Sequence, residues 1–412
     1  MICQIYLMKG SNNMKIKVGV IFGGCTVEHE VSIISAVQAM NNIDEEKYDV
    51  VPIYISKDRI WYTGALLKDI EIYKDLDLLK RYATQVTLCK KNNEFYLIKT
   101  NGLFNKEVEQ IDIAFPIVHG NNAEDGTLQG FLDTVGIPYV GSKVLGSALG
   151  QDKVVMKQVF ESTGLPIVPY TWFYDTEYEA NSEKILSEIK KLKYPVIVKP
   201  ASLGSSVGIT FVDDSKKIDE AITEAIKYDH KIVVEKVVTD MIEVNCSVFG
   251  NYEHQTTSAI EEVMSTKEFL TYADKYIGSS KVKGKCMGSK GMASAKRIIP
   301  ARITKKQQTD IENYSKEVFR VLNLSGICRI DFMIDKTDKK VYVNEPNTIP
   351  GSLAFYLWEP IGKKYSKLLD EAITLAIKDY KATSKKVFSF ESNILSNYNG
   401  CKGLKGLKGL KK

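Results

Sequence analysis

A chain of 412 residues with 44% apolar and 26% charged side chains has room for two or three domains and sits near the globular average, which excludes gross disorder and a fibrous repeat. No window approaches the roughly 18 uninterrupted apolar residues that a membrane span needs. The net charge of +5 belongs to the end of the chain: from Asn393 onward stand Lys402, Lys405, Lys408, Lys411 and Lys412 with no acid, so residues 1–392 are neutral. A generally basic, nucleic-acid-coating protein is therefore not expected.

The opening MICQIYLMKG has no basic residue before its short apolar run, so it does not read as a secretory signal. MKIKVGVIFGG from Met14 is the better beginning, and residues 1–13 are expected to be a dispensable leader. Seven scattered cysteines without a CxxC pair point to reduced thiols in a cytosol. Four histidines without HxxxH spacing argue against a histidine-built metal centre.

In chain order, KVGVIF is a strand that runs through Gly23-Gly24 into a helix over VSIISAVQAM. DVVPIYI, VTLC, FYLI and IDIAFPIVHG follow as strands, with GIPYVG after a helical stretch, and this rhythm predicts an α/β layer with a mostly parallel sheet. DKVVMKQVFESTG is a helix stopped by Gly164 and Pro166. A second α/β unit comprises TWFY, a helix through ILSEIKKL, YPVIVKP, a glycine loop, GITFV, another helix and IVVEKVV. VNCSVFG, RIDFMID and VYVNEPN predict an antiparallel-rich third unit closed by a helix over LLDEAITLAIKDY. The expected division is 14–150, 151–238 and 239–385, with 386–412 a basic flexible tail. The tail's Lys-Gly-Leu period makes a poor helix and reads as solvated, with weak attraction to nucleic acid or an anionic surface the minor alternative. Residues 277–302 hold seven Lys/Arg, no acid and four glycines, and a loop of that length is expected to act as a lid.

Four stretches carry chemistry. Ser202–Gly208, between two β-rich runs, is either a phosphate-cradling loop with Lys199 supplying positive charge or an ordinary hairpin turn, and the loop alone does not separate these. No Walker-type GxxxxGK[ST] and no GxGxxG is present. In RIDFMIDKTDKKVYVNEPN, Arg329 and Asp331 share one strand face and Glu345 and Asn347 share a face of the next. Pairing the strands gathers two carboxylates, an amide oxygen and a guanidinium, a set suited to Mg²⁺. A solvated acidic face is the bland reading, and the apolar neighbours argue against it. His119 ends an apolar strand where α/β folds place ligands, though alone it reads as a satisfied edge residue. Glu28 opens a helix, where it complements the helix dipole or meets a substrate ammonium.

Taken together, FGG…EHEVS, HGNNAEDGTLQG, DK, VIVKP…GSSVG, VVEK, DKY, RIDF and NEPNTIPG resemble the D-alanine–D-alanine ligases of the ATP-grasp superfamily, over about Lys15 to Asp379. The resemblance implies an ATP-grasp fold, α/β with an α+β C-terminal part, in three domains with ATP between the second and third. It implies ATP contacts from Lys153, Lys199, Gly204, Ser205, Ser206 and Lys275, adenine reading by Glu235, Lys236 and Val238, and ribose binding by Glu243. Two Mg²⁺ ions, replaceable by Mn²⁺, would lie on Asp331, Glu345 and Asn347. Glu28 would hold the first substrate's ammonium beside His119 and Glu124, with Ser205 and Tyr276 completing a hydrogen-bond network. Arg329 and the Gly351 N–H would stabilise an oxyanion. Tyr276 is assigned by its Asp-Lys-Tyr setting, with Tyr272 a rival.

The implied reaction joins two D-alanines for peptidoglycan through an acyl phosphate and a tetrahedral intermediate. D-Serine or another second substrate is the alternative, and a non-catalytic nucleotide-binding regulator a remoter one. Tyr276 favours an amine nucleophile, since lactate-accepting relatives usually replace it. The chain departs from the family pattern at Ala123, where glycine is common, and at Tyr356, where a serine near the second carboxylate is frequent; Leu357 follows. A cytoplasmic homodimer that binds neither nucleic acid nor membrane is expected.

Overall fold

The computed structural model describes residues 14–102, 106–204, 207–264 and 297–389. Its first sheet is built on β1 (Ile16–Gly23), where Val18, Val20, Ile21 and Phe22 are fully buried, the signature of a strand covered on both faces. β1 turns into α1 (His29–Met40) at Gly23, whose φ is +91°. A Cβ at Gly23 would stand 2.2 Å from the Ile55 carbonyl oxygen, so the turn requires glycine. β2 (Tyr48–Ile55), β3 (Trp61–Thr63), α2 (Leu76–Tyr82), β4 (Thr84–Lys91), β5 (Glu94–Lys99), β6 (Glu107–Ile111) and β7 (Ile113–Pro116) complete a seven-stranded sheet in the order β6-β5-β4-β3-β2-β1-β7.

The mostly parallel sheet expected here is overturned. β1 runs parallel to β2 and β7, whereas β2–β3, β3–β4, β4–β5 and β5–β6 are antiparallel. For β4 and β5 the cause is connection length. Asn92 and Asn93 both adopt positive φ (51° and 65°) and reverse the chain in two residues, which permits only an antiparallel neighbour; a parallel one needs a long crossover. IDIAFPIVHG likewise breaks into two strands at Asp112, and GIPYVG contributes a single bridge, Tyr139 to Ala114.

After α3 (Thr127–Val135) and α4 (Val144–Gln151), a helix the sequence reading does not contain, α5 (Lys153–Ser162) begins at a strong cap. Asp152 Oδ1 accepts from the N–H groups of Val154 and Val155 at 2.9 and 3.0 Å. The next sheet, order β10-β9-β11-β8, is antiparallel throughout: β8 (Tyr170–Tyr174), β9 (Val196–Pro200), β10 (Thr210–Val212) and β11 (Lys231–Lys236). Its apolar side is closed by α7 (Ser182–Lys191) and α8 (Ile218–Ile226), while α6 (Asp175–Ala180) is a short connector. The glycine loop joins β9 to β10, as expected.

The third sheet, β14-β13-β12-β15-β16, is antiparallel as expected: β12 (Met241–Gly250), β13 (Gln255–Val263), β14 (Arg297–Ile298), β15 (Gly326–Asp335) and β16 (Val341–Asn347). α9 (Lys305–Val321), also absent from the sequence reading, presses Ile311, Val318 and Phe319 onto it, a seven- and eight-residue spacing that marks one helix face. Arg297 and Ile298, assigned above to the basic loop, pair with β13 instead. Residues 277–296 and the tail from 390 lie outside the described residues. α10 (Tyr365–Thr383) returns to the first sheet, burying Leu368, Leu369, Ala372 and Ile373 in its core. No helix among the described residues is long and apolar enough to cross a membrane.

Candidate active site

The third sheet supplies a row of polar side chains. Glu345 of β16 lies opposite Asp331 of β15, Asp331 opposite Asn245 of β12, and Asn245 opposite Glu261 of β13, so all four share one face. Arg329 sits one pair along, opposite Asn347. Its Nε and Nη2 donate to the two oxygens of Asp331 at 2.7 and 2.8 Å, and Asn347 Nδ2 adds a bond of 3.0 Å. Burial alone would disfavour the Arg329 charge, but the Asp331 carboxylate holds its pKa well above the usual guanidinium value. The four residues read from the sequence as one cluster are therefore assembled. Two carboxylates and one amide oxygen are hard donors of the kind Mg²⁺ takes, with water and phosphate completing its shell, so the residues present fit that ion. Among the described residues no group of three or more His, Cys, Asp or Glu is placed to hold a metal ion, so this set counts on the Asn347 amide as its third donor.

Helix α5 and strand β9 bring lysines to this row. The Asp152 cap sets the first turn of α5, and Lys153 Nζ donates to the Leu203 carbonyl at 2.7 Å while standing 3.5 Å from Glu345 Oε2. It thus links the glycine loop to the acids. Lys199, at the end of β9, donates to Glu235 Oε2 at 2.9 Å, and Lys157 reaches Glu235 Oε1 at 3.3 Å. Burial opposes charge on all three. The two lysines outweigh it at Glu235, holding that carboxyl down at about 2, and the Glu235 and Glu345 carboxylates raise Lys199. Lys157 is depressed by burial, partly offset by Glu235. The Glu235 carboxylate thus faces inward to two cations, while Lys236, exposed at the end of β11, fixes the crossing by donating its N–H to Pro169 at 2.9 Å. Val238 follows it half-buried, and Glu243 lies on β12 on the same face as Asn245.

In the first unit, Glu28 precedes α1 without capping it through its side chain. Glu28 Oε2 lies 3.0 Å from where a Cβ on Gly120 would be and 3.5 Å from where one on Gly204 would be, so it stands between two loops whose glycines leave it space. His119 is buried, its Nδ1 2.7 Å from the Ile349 carbonyl and its Nε2 2.8 Å from Ser35 Oγ. Ser35 Oγ also accepts from the Ser352 N–H at 2.9 Å. Burial lowers the His119 pKa, partly offset by Glu28 and that carbonyl. Glu124 accepts from the N–H groups of Gly120 (2.8 Å) and Ile349 (3.0 Å), and its pKa is pushed up to about 8 by burial and then by Glu28. His119 and Glu124 each commit one polar atom to the Ile349 main chain, two residues before Gly351. The resemblance sets them beside the first substrate, and in the structure both interact with Glu28 while bonding to Ile349 in the turn that follows β16.

That turn runs from Gly351 to Leu357, with Ser352, Leu353 and Ala354 at φ of 53°, 49° and 49°. Three consecutive non-glycine residues in the left-handed region carry strain of about 1 kcal/mol or more each. Leu357 is fully buried in the first core. Tyr356 stacks beneath the Arg297 guanidinium, 3.7 Å from ring centroid to Cζ, and its hydroxyl lies 3.3 Å from Glu261 Oε1. Ser205, Ser206, Lys275 and Tyr276 (with its rival Tyr272) lie outside the described residues. Sequence reasoning missed Lys157, Ser35, Asn245, Glu261 and Arg297. Lys157, four residues after Lys153 on one helix face, had a legible signal; Arg297 and Glu261 meet only through the β13–β14 pairing.

Comparison with known proteins shows what the whole chain is similar to. Residues 17–142 match the family model described as D-ala D-ala ligase N-terminus, and residues 159–374 match D-ala D-ala ligase C-terminus. A D-alanine–D-alanine ligase from Thermosipho melanesiensis is 39% identical over 380 residues, covering 92% of this chain and 98% of that protein. The solved structure of the D-alanine-D-alanine ligase from Coxiella burnetii superposes with a TM-score of 0.75 at 27% identity, over 90% of this chain and 96% of the other. That of the Bacillus anthracis D-alanine–D-alanine ligase complexed with ATP gives 0.62 at 25% identity, over 89% and 99%.

Proposed function

The chain belongs to the D-alanine–D-alanine ligase family, and from that premise we propose how its own residues divide the work. It has the ATP-grasp fold and is an ATP-dependent, ADP-forming carboxylate–amine ligase that joins two D-alanines into D-alanyl-D-alanine for peptidoglycan synthesis. A D-serine nucleophile is not favoured by these relatives.

A carboxylate is a poor electrophile, so the first D-alanine must take the γ-phosphoryl of ATP before an amine can attack it. Glu28 would hold that D-alanine's ammonium. Lys153 and Lys199 lie where a triphosphate crossing from the glycine loop to the acid row meets two cations, and Gly204 leaves the loop main chain open to it. Lys236, Val238 and Glu243 would line the adenosine. Glu235 acts on this wall indirectly, by fixing Lys199. Asp331, Glu345 and Asn347 would hold two Mg²⁺ ions, which supply neutralisation of charge on the phosphoryl group. When the second amine attacks, the oxyanion would meet the Arg329 guanidinium, held flat by Asp331, and the Gly351 N–H, whose turn His119 and Glu124 brace. Tyr356 would border the second D-alanine, with Leu357 held inside the first core next to it in sequence. Ser205, Ser206, Lys275 and Tyr276 keep the roles the resemblance assigns them.

The expected division remains 14–150, 151–238 and 239–385, with ATP between the second and third units, although apolar packing crosses these bounds: Leu368 and Ile373 join the first core, and Met156 and Phe160 join that of the third sheet. A cytoplasmic homodimer is the expected working form. The observation that carries the reading is the meeting of Arg329, Asp331, Asn347 and Glu345 with Lys153 of α5. The test is phosphate release from ATP and Mg²⁺ with D-alanine alone, and with D-alanine paired with D-serine, D-lactate or L-alanine. Release with D-alanine alone is expected, and silence with every D-amino acid overturns it.

A further inference from the structure

Three buried side-chain oxygens that lack a partner belong to residues around one cavity. Gln129 on α3, Ser147 on α4 and Thr348, the residue after β16, line a space of about 20 Å³. They are 2%, 0% and 4% exposed. Among the described residues, Gln129 Oε1, Ser147 Oγ and Thr348 Oγ1 find no hydrogen-bond partner. Ser142 shares the wall, but its hydroxyl donates to the Ser325 carbonyl at 3.3 Å and accepts from the Ser325 N–H at 3.2 Å. The rest of the wall is mainly apolar, with Phe115 and Ile327 part of it, and carries no charged side chain among the described residues.

Folded proteins rarely leave a buried hydroxyl or amide oxygen unpaired, and three around one space point to a shared partner. The cavity has room for about one water, and a buried water makes about three hydrogen bonds. Water also has the right polarity: it donates to the amide oxygen of Gln129 and accepts from the two hydroxyls. We propose that Gln129, Ser147 and Thr348 hold one internal water, and that through it α3 and α4 fix the end of β16 and the turn that follows. Ile349 and Leu353 of that turn line the same cavity. Thr348 stands between Asn347 and Ile349, whose main chain His119 and Glu124 already hold, so the water adds a grip one residue earlier. Gln129 and Ser147 are then positioning residues, which reach Asn347 and Gly351 only through Thr348. The water site stands on the cavity; its effect on turnover rests on the ligase reading above.

The test turns on the sign of a hydroxyl deletion. Deleting a hydroxyl bonded to water loses a hydrogen bond, whereas deleting a dry, unpaired one relieves its burial. Thr348→Val, Ser147→Ala and the pair are compared by urea unfolding of the full-length chain. Each single change is expected to lower the folding equilibrium constant about 5-fold. The pair should lose much less than the product of the two, because either deletion already releases the water. Unchanged or raised stability in Thr348→Val, or losses that simply multiply, overturns the water site. So does a high-resolution crystal structure with no density peak within hydrogen-bond distance of all three oxygens. With ATP, Mg²⁺ and D-alanine, Ser147→Ala should lower kcat about 5-fold or more at an unchanged KM for ATP, while Thr348→Ser, which keeps the hydroxyl, should stay near the parent. A kcat equal to the parent's in Ser147→Ala overturns the positioning role. No dipeptide from the parent enzyme removes the ligase reading instead, and unfolding and density still decide the water site.

Discussion

His119 donates its Nδ1–H to the main-chain carbonyl of Ile349 across 2.7 Å, joining two residues 230 positions apart. A carbonyl only accepts, so Nδ1 carries the proton and Nε2 is left to accept from Ser35. Ser35 in turn receives the Ser352 N–H, and Glu124 receives the Ile349 N–H. The residues on either side of Gly351 are thereby gripped from behind by the first sheet's loops.

Removing that grip should loosen the Gly351 N–H more than it weakens substrate binding. His119→Ala is expected to destabilise the fold by about 2 kcal/mol, because a buried carbonyl and hydroxyl lose their partner. It should lower kcat with little change in the KM for ATP, checked by urea unfolding and steady-state kinetics. A kcat equal to the parent's would show that the turn holds itself.

Glu235 between Lys157 and Lys199 makes a second test. Replacing it with Gln strands two buried ammonium groups and is expected to destabilise by about 3–5 kcal/mol. The sign with pH follows from a folded pKa of about 2 against an ordinary 4.5: the contribution is complete above 4.5 and disappears as pH falls through 2. Acid unfolding of the parent and Glu235→Gln should therefore converge toward pH 2. A second change, Lys157→Met, should recover part of the loss.

Glu124 runs the opposite way. Its folded pKa of about 8 lies above the ordinary 4.5, so its contribution is complete below 4.5 and is lost as pH rises through 8. Measured by denaturant unfolding across pH 5 to 9, in steps set by that window, the parent should lose stability relative to Glu124→Gln as pH rises. Parallel pH curves for the two proteins would contradict the raised pKa.

Glu345 stands opposite Asp331 and 3.5 Å from Lys153. Glu345→Gln keeps the shape and removes the charge. Turnover at ordinary Mg²⁺ should fall by about 100-fold or more and recover partly as Mg²⁺ is raised. Phosphate release titrated against Mg²⁺ checks this, and an unchanged Mg²⁺ dependence would remove Glu345 from the ligand set.

Residues whose partners lie close along the chain were legible before any coordinates. Alternation along two strands joined by a short polar turn was enough to put Arg329, Asp331, Glu345 and Asn347 on one face, because a strand's side-chain period is two and a hairpin leaves little choice of register. Asp152 beside the first turn of α5 and the glycine loop between β9 and β10 were readable for the same local reason.

What only tertiary structure decided was partnership at long separation. The antiparallel direction of β5 against β4 rested on a two-residue reversal at Asn92-Asn93, and apolar strand composition does not record direction. His119 became a brace, Glu235 turned inward to Lys157, and Arg297 came to rest on Tyr356, because burial forces each polar atom to find whichever partner the packed chain brings near. Spacing along a strand or helix does not carry that information; the meeting of separate sheets does.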